Sequence, residues 1–156
     1  MLAVFAAGCA AQSTDFETIE PGAAQSNEIL VVVTPRSSNV CWTNASEVAD
    51  AASRNLSAVY DTVSIATFEE ANAGHPLVFQ VLGWAYRRSG ICFGNFRISI
   101  GEGLEVKDNG YIDTKRPAVT SKRKAILGAP AEMNTLIRSY VDEVSRNFAS
   151  RVGEMR

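Results

Sequence analysis

The side chains best suited to chemistry in this sequence are three cysteines, Cys9, Cys41 and Cys92, and a single histidine, His75. Thiolates and imidazoles act as nucleophiles, proton carriers or metal ligands when partner groups stand close by. His75 lies in the loop-forming run Ala-Gly-His-Pro, and no cysteine or carboxylate flanks it at metal-ligand spacing. The sequence also has no phosphate-binding loop and no nucleophile-elbow motif. We therefore predict no catalytic residue, no metal site and no cofactor, and expect a protein that is not an enzyme.

Basic side chains form the second chemical signal, because the net charge of -2 conceals an uneven distribution. Residues 1–78 hold two basic and nine acidic residues, whereas residues 79–156 hold thirteen basic and eight acidic ones. One interpretation of the basic residues in the second half is that they form a surface patch that binds an anionic partner, such as lipid headgroups, lipopolysaccharide or an acidic protein. The other is an edge strand that charge protects from aggregation. Nucleic acid is not expected, because no aromatic residues alternate with the basic ones. The patch residues are Lys115, Arg116, Lys122, Arg123 and Lys124.

The elements that must position these groups fit one domain, because 156 residues with 46% apolar side chains form a single core of ordinary size. Ile29 to Val33 is a continuous apolar run, which favours a strand buried on both faces. A helical pattern follows from Asn44, and a second strand is predicted over 62–68. Later residues alternate as in antiparallel hairpins, with strands from Leu77 and Ile91. A further strand over 111–114, resuming around 119–127, is expected at an edge.

A long helix closes the chain from Pro130, with apolar residues at three- and four-residue steps. We expect its apolar stripe to pack across the sheet. The stripe contains Met133, Leu136, Ile137, Tyr140, Val141, Val144, Phe148 and Val152. The predicted fold class is therefore α/β (α+β), a β-α-β unit followed by antiparallel hairpins and a long C-terminal helix packed on one sheet.

The first residues form an apolar run that ends in Ala6-Ala7-Gly8-Cys9 and is followed by a polar stretch. This run is too short to span a bilayer. Its end resembles the lipobox of bacterial lipoproteins, which implies that Cys9 is acylated and that residues 1–8 are a signal-peptide remnant. Ala10 follows the cysteine instead of aspartate, and the resemblance then implies the outer membrane. The alternative is that residues 1–9 form a strand or helical turn, with Cys9 a small core residue.

Residues 10–27 are small, polar and mildly acidic, with a Pro-Gly pair. That composition predicts a flexible tether, spanning about 20 to 25 Å as a random coil. We therefore assign residues 9–27 to a lipid-anchored tether and residues 28–156 to the folded domain.

Cys41 and Cys92 remain as a pair if Cys9 carries lipid. An exported protein meets an oxidising environment, in which two such thiols form a disulfide. Closing that loop contributes about 4 kcal/mol in the chain-entropy description. The alternative is a pair of buried free thiols, which fits a cytoplasmic protein.

The whole pattern resembles the small envelope lipoproteins that serve transport and assembly machines. The resemblance implies an outer-membrane-anchored, periplasm-facing accessory or assembly factor of an envelope transport or secretion system. Its partners are then the membrane, through acylated Cys9, and a protein of the envelope complex. The alternative function is a periplasmic binding module that holds a lipid or other amphiphile between the final helix and the sheet.

Overall fold

The computed structural model describes residues 16, 18–36, 40–72, 77–107 and 112–156. Within them the chain forms six strands and four helices in a mixed order, which confirms the predicted α+β class. The elements are α1 (Pro21–Gln25), β1 (Glu28–Pro35), α2 (Ala45–Leu56), β2 (Thr62–Ile65), α3 (Phe68–Asn72), β3 (Val78–Arg88), β4 (Ile91–Val106), β5 (Ile112–Pro117), β6 (Lys122–Gly128) and α4 (Pro130–Met155).

One mixed sheet forms the centre of the fold. Its order is β2-β1-β3-β4-β5, and β6 pairs with β4 on the same side as β5. The apolar strand β1 runs parallel to both neighbours, and the pairs from β3 onward are antiparallel. Strand β2 stops at Ile65, earlier than the predicted 62–68, because Phe68 begins α3. The predicted interrupted edge strand is present as β5 and β6, which pair with successive parts of β4.

The face of the sheet that carries α1, α2 and α4 is here called the closed face. Alternate strand residues such as Val31, Phe79 and Ile98 point into it and are fully buried. The predicted stripe of α4 packs there, with Val144 and Phe148 also fully buried. Leu136 is an exception to the predicted stripe, since its side chain is 40% exposed.

The aromatic packing on the closed face requires glycine at two strand positions. The ring of Phe96 lies across the sheet and meets Trp42 edge-on, with 5.2 Å between ring centroids. A Cβ atom at Gly83 would lie 2.4 Å from the Phe96 ring, and one at Gly94 would meet the same ring at 2.4 Å. These glycines therefore leave space for a buried ring that two neighbouring strands share.

A disulfide joins Cys41 to Cys92, with 5.7 Å between their Cα atoms. It fixes the loop before α2 to the start of β4, and both sulfurs are buried within the closed-face core. The predicted pairing is confirmed, and the alternative of two free thiols is wrong.

The opposite face is covered at one end by the short helix α3. A second apolar cluster forms there. Since its strand residues alternate with those of the closed face, the sheet separates the two clusters. The cluster contains Leu30, Val32, Ala71, Val78, Leu104 and Ile112.

The segment before β1 is part of the folded domain. Phe16 is 4% exposed and meets the Phe148 ring edge-on at 5.6 Å, and Ile19 is also buried. The Glu20 amide donates to the Ala118 carbonyl oxygen at 2.9 Å. The flexible tether predicted for residues 9–27 is therefore wrong from Phe16 onward, because large apolar side chains within the polar sequence pack into the core.

Candidate functional site

Several predicted features lie outside the described residues. They include Cys9 with the lipobox, and His75. In the parts of the chain that the structure describes, no three histidine, cysteine or carboxylate side chains could share a metal ion. No helix among those same residues is long and apolar enough to cross a membrane.

The five residues of the predicted anionic-partner patch do not form one surface. Strand alternation places Lys122 and Lys124 on the closed-face side of β6, where each covers an aromatic ring. The Nζ atom of Lys122 lies 5.1 Å from the Phe16 ring centroid, and that of Lys124 lies 5.2 Å from the Tyr140 ring. These lysines are therefore engaged with the edge of the core.

The other three basic residues of the patch, Lys115, Arg116 and Arg123, do not cover the core. Arg116 of β5 donates through Nη1 to Glu102 Oε2 at 3.1 Å on an exposed surface. Lys115, its neighbour on the strand, is also exposed. Arg123 points to the opposite side of β6 from Lys122 and Lys124, because successive strand residues alternate between faces. Arg123 is therefore the one member of the strand-β6 basic run that is directed away from the helices.

Arg123 belongs to a surface that the sequence analysis did not select. The β3–β4–β6 part of the sheet aligns side chains in rows on the side opposite the helices. One row joins Tyr86 to Phe93 and Leu127, and the next joins Trp84 to Asn95. We call this surface the open face and define it by Trp84, Tyr86, Ile91, Phe93, Asn95, Arg123 and Leu127.

The open face exposes large apolar side chains. Tyr86 is 57% exposed, Leu127 61% and Ile91 42%. The rings of Tyr86 and Phe93 stack at 5.8 Å with an interplanar angle of 20°. Contiguous apolar surface of this kind is characteristic of interaction sites.

A shallow groove of about 320 Å³ opens beside the aromatic rows. Trp84 forms one wall, and the polar groups of Asn95 and Arg123 are directed toward the same space. Arg97 completes the lining together with part of Phe96. The groove therefore combines an aromatic surface, an amide and two guanidinium groups, a set suited to binding a carboxylate next to an apolar group.

Arg97 is held rigidly at the floor of the groove. Its Nη2 atom donates to Asp113 Oδ2 at 2.5 Å and to Ser121 Oγ at 3.0 Å. Ser121 in turn lies 3.3 Å from Ser99, so a polar network connects β4, β5 and the loop before β6. Gln80, which pairs with Ser99 across the strands, is 1% exposed, and its amide has no hydrogen-bond partner among the described residues.

A separate cavity of about 540 Å³ lies between α2 and α4 and has a polar lining. Asn134 joins α4 to the loop before α2 there, donating to Thr43 Oγ1 at 2.7 Å and accepting from the Thr43 amide at 3.0 Å. Asn55 makes a similar bridge farther along, with hydrogen bonds to Asp142 and Ser145. These polar groups are used in joining the helices, so we assign the cavity a structural role.

Two buried tyrosines have raised pKa values. Desolvation raises the pKa of Tyr60 well above its usual value, and the nearby Arg156 guanidinium opposes part of that rise. Burial likewise raises the pKa of Tyr140, and the negative charge of Glu143 adds to the effect. Both phenols therefore stay protonated at neutral pH and support packing.

Comparison with known proteins bears on the fold alone. No protein-family model matches the chain, and no curated protein matches it either. Among solved structures, the PelC dodecamer from Paraburkholderia phytofirmans is similar at 15% identity, covering 83% of this chain and 92% of that one, with a TM-score of 0.50. A PelC dodecamer from the same organism with one leucine-to-methionine substitution has 13% identity, covers 88% of this chain and 93% of that one, and has a TM-score of 0.46.

The Ser89-Gly90 pair is the sequence signal that could have located the open face. Both residues have positive φ and form a two-residue turn, so Arg88 pairs with Ile91. A two-residue turn fixes the register of a hairpin. That register alone would have placed Tyr86 opposite Phe93, on the face that the buried residues Ala85 and Cys92 do not use.

Proposed function

We propose that this protein is an exported, lipid-anchored accessory factor without catalytic activity, which binds a protein of an envelope transport or secretion complex through its open face. The observation that carries this proposal is the exposed aromatic and apolar surface of Tyr86, Ile91, Phe93 and Leu127 on a domain whose other face is densely packed. The disulfide supports export, because disulfides persist in oxidising compartments. The lipobox-like Ala6-Ala7-Gly8-Cys9 supports attachment to the outer membrane on its periplasmic side.

Because the N-terminal segment is packed from Phe16, the link between an anchor at Cys9 and the domain would be short. Phe16 is fixed against Phe148, so seven residue steps separate Cys9 from the folded domain. Seven extended steps span at most about 25 Å. An acylated Cys9 would therefore hold the domain beside the membrane, with the Phe16 side of the molecule directed toward the lipid.

The alternative function, an amphiphile held between α4 and the sheet, has less support. Met133, Ile137 and Val141 of α4 are fully buried against the sheet, as are Val144, Phe148 and Val152. A ligand at that position would have to displace core side chains. We therefore place the binding activity on the open face.

Replacing the acylated residue tests the anchor. We expect the wild-type protein to incorporate labelled palmitate and to remain in the membrane fraction, whereas Cys9→Ser abolishes labelling and moves the protein to the soluble fraction. Ser13→Ala, a change close to the lipobox but outside it, should leave both results unchanged. Persistent labelling and membrane retention of Cys9→Ser would contradict the proposed anchor.

A further inference from the structure

The apolar rows and the arginine of the open face are arranged in a fixed register. Arg123, Ala125 and Leu127 follow one another on the same side of β6. Residues two apart on a strand are separated by about 6.6 Å. The Arg123 level is therefore about 13 Å from the row of Tyr86, Phe93 and Leu127, with Trp84 and Asn95 between them.

Position distinguishes Arg123 from Arg54, Arg87 and Arg88, which also have no ion pair among the described residues, because Arg123 lines the groove beside Trp84 and they do not. Five arginines form ion pairs with carboxylates of their own chain, and Arg156 donates to backbone carbonyl groups. Among the residues that the structure describes, Arg123 forms no ion pair with a carboxylate. Its side chain lines the groove beside Trp84. An unneutralised guanidinium beside an aromatic ring favours an incoming carboxylate. The paired arginines are Arg97, Arg116, Arg138, Arg146 and Arg151.

The composition of the open face favours a protein as its occupant. Tryptophan, tyrosine and arginine are the residues that most often dominate the binding energy of protein interfaces. Side chains of an extended peptide that point to one side repeat every second residue, with the same spacing as the rows of the sheet. A single extended segment can therefore place an acidic residue at Arg123 and apolar residues over the two aromatic rows.

We propose that the open face binds an extended protein segment with an acidic residue at one position and large apolar residues two and four positions along. The carboxylate contacts the Arg123 guanidinium in the groove, the first apolar side chain lies on Trp84, and the second lies on the Tyr86–Phe93 stack. This inference rests on the proposed binding role of the open face and specifies the chemistry of the partner.

The test is a fluorescence titration of the full chain carrying Cys9→Ser with two matched peptides. The peptides are acetyl-Glu-Ser-Leu-Ser-Leu-amide and the same sequence with Gln in place of Glu. Trp84 is partly exposed and Trp42 is 3% exposed, so a change in emission on binding reports on the groove. We expect the Glu peptide to bind about ten-fold more tightly, a preference equivalent to about 1.4 kcal/mol.

Two arginine variants complete the experiment. Arg123→Gln should remove the preference for the Glu peptide, whereas Arg116→Gln should leave it unchanged, because Arg116 already pairs with Glu102 on another strand. The inference would be overturned by equal binding of the two peptides, by no binding of either, or by an unchanged preference in Arg123→Gln.

Two other occupants are also tested. A response to the acidic saccharide trigalacturonate without a response to either peptide would overturn the inference in favour of an acidic saccharide. Self-association that covers Trp84 and excludes the peptides would overturn it in favour of a second copy.

Because the Cys9→Ser chain carries no lipid in this titration, the result does not depend on the anchor. Membrane retention of the Cys9→Ser variant together with an intact peptide preference would remove the lipoprotein assignment alone. A normal anchor without any peptide preference would remove the partner chemistry alone.

Discussion

The two faces of the β3–β4 hairpin contrast sharply although the same two strands form both. Ala85 and Cys92 are 1% and 0% exposed beneath the helices, and their immediate neighbours Tyr86 and Phe93 lie on the open face. Each strand therefore contributes alternately to the core and to the surface. The open face therefore carries large aromatic residues that do not take part in building the core.

The largest expected difference is between one aromatic residue on each face. Phe148→Ala should lower the free energy of unfolding by about 4 kcal/mol, because it leaves a cavity in a fully buried cluster. Tyr86→Ala should change it by about 0.5 kcal/mol or less, since that ring is mostly exposed. Chemical denaturation of both variants measures the contrast, and similar losses would show that the two faces do not differ as described.

The disulfide should contribute nearly as much to the closed face. Replacing Cys41 and Cys92 together by serine should lower the free energy of unfolding by about 4 kcal/mol, because the unfolded chain gains freedom. Urea unfolding of the double variant measures the loss, and the reduced wild-type protein is the matched control. A loss below about 1 kcal/mol would contradict the structural role of the bond.

Breaking the ion pair beneath the groove should have an intermediate effect. Asp113→Asn replaces the carboxylate that the partly buried Arg97 contacts through Nη2 by a neutral amide, at a cost of about 2 kcal/mol. Arg116→Gln removes an exposed ion pair and should cost less than about 0.5 kcal/mol. Thermal unfolding measures both changes. Equal effects would mean that the Arg97 network is not more important than a surface pair.

A gain in stability is expected at Gln80. Gln80→Met retains the length of the side chain and removes a buried amide that has no partner among the described residues. The free energy of unfolding should rise by about 1 kcal/mol, because the folded state no longer desolvates unsatisfied polar atoms. A loss of stability measured by urea denaturation would show that the amide forms a bond essential to the fold.

The smallest expected effect appears at high pH. Burial raises the pKa of Tyr60 and Tyr140 in the folded state, whereas the unfolded tyrosines titrate near 10. Their contribution to stability is therefore fully present below about pH 10 and decreases as the pH rises further. Tyr140→Phe should flatten the pH dependence of the melting temperature above pH 10. An unchanged slope in Tyr140→Phe would contradict this assignment.

The fold was predictable wherever one strong local pattern determines one element. The apolar run Ile29–Val33 became the central parallel strand, and the periodic residues from Pro130 became α4. The packing of Phe16 could not be predicted, because a single aromatic residue in a polar segment carries no periodicity. The division of the basic run between two faces could not be predicted without the strand bounds, because Lys122 and Lys124 point away from Arg123. The open face required the pairing register, which single-strand patterns do not supply.

Hydroxyl-radical footprinting of the full-length protein, in its native membranes and after purification, tests the central claim that the open face is covered by a partner. We predict that Trp84, Tyr86 and Phe93 are modified several-fold less in the membranes. Val106 and Met155, which are 58% and 46% exposed and lie away from the open face, should be modified equally in both samples. Equal modification of Tyr86 in the two samples would show that no partner covers the open face in the membranes.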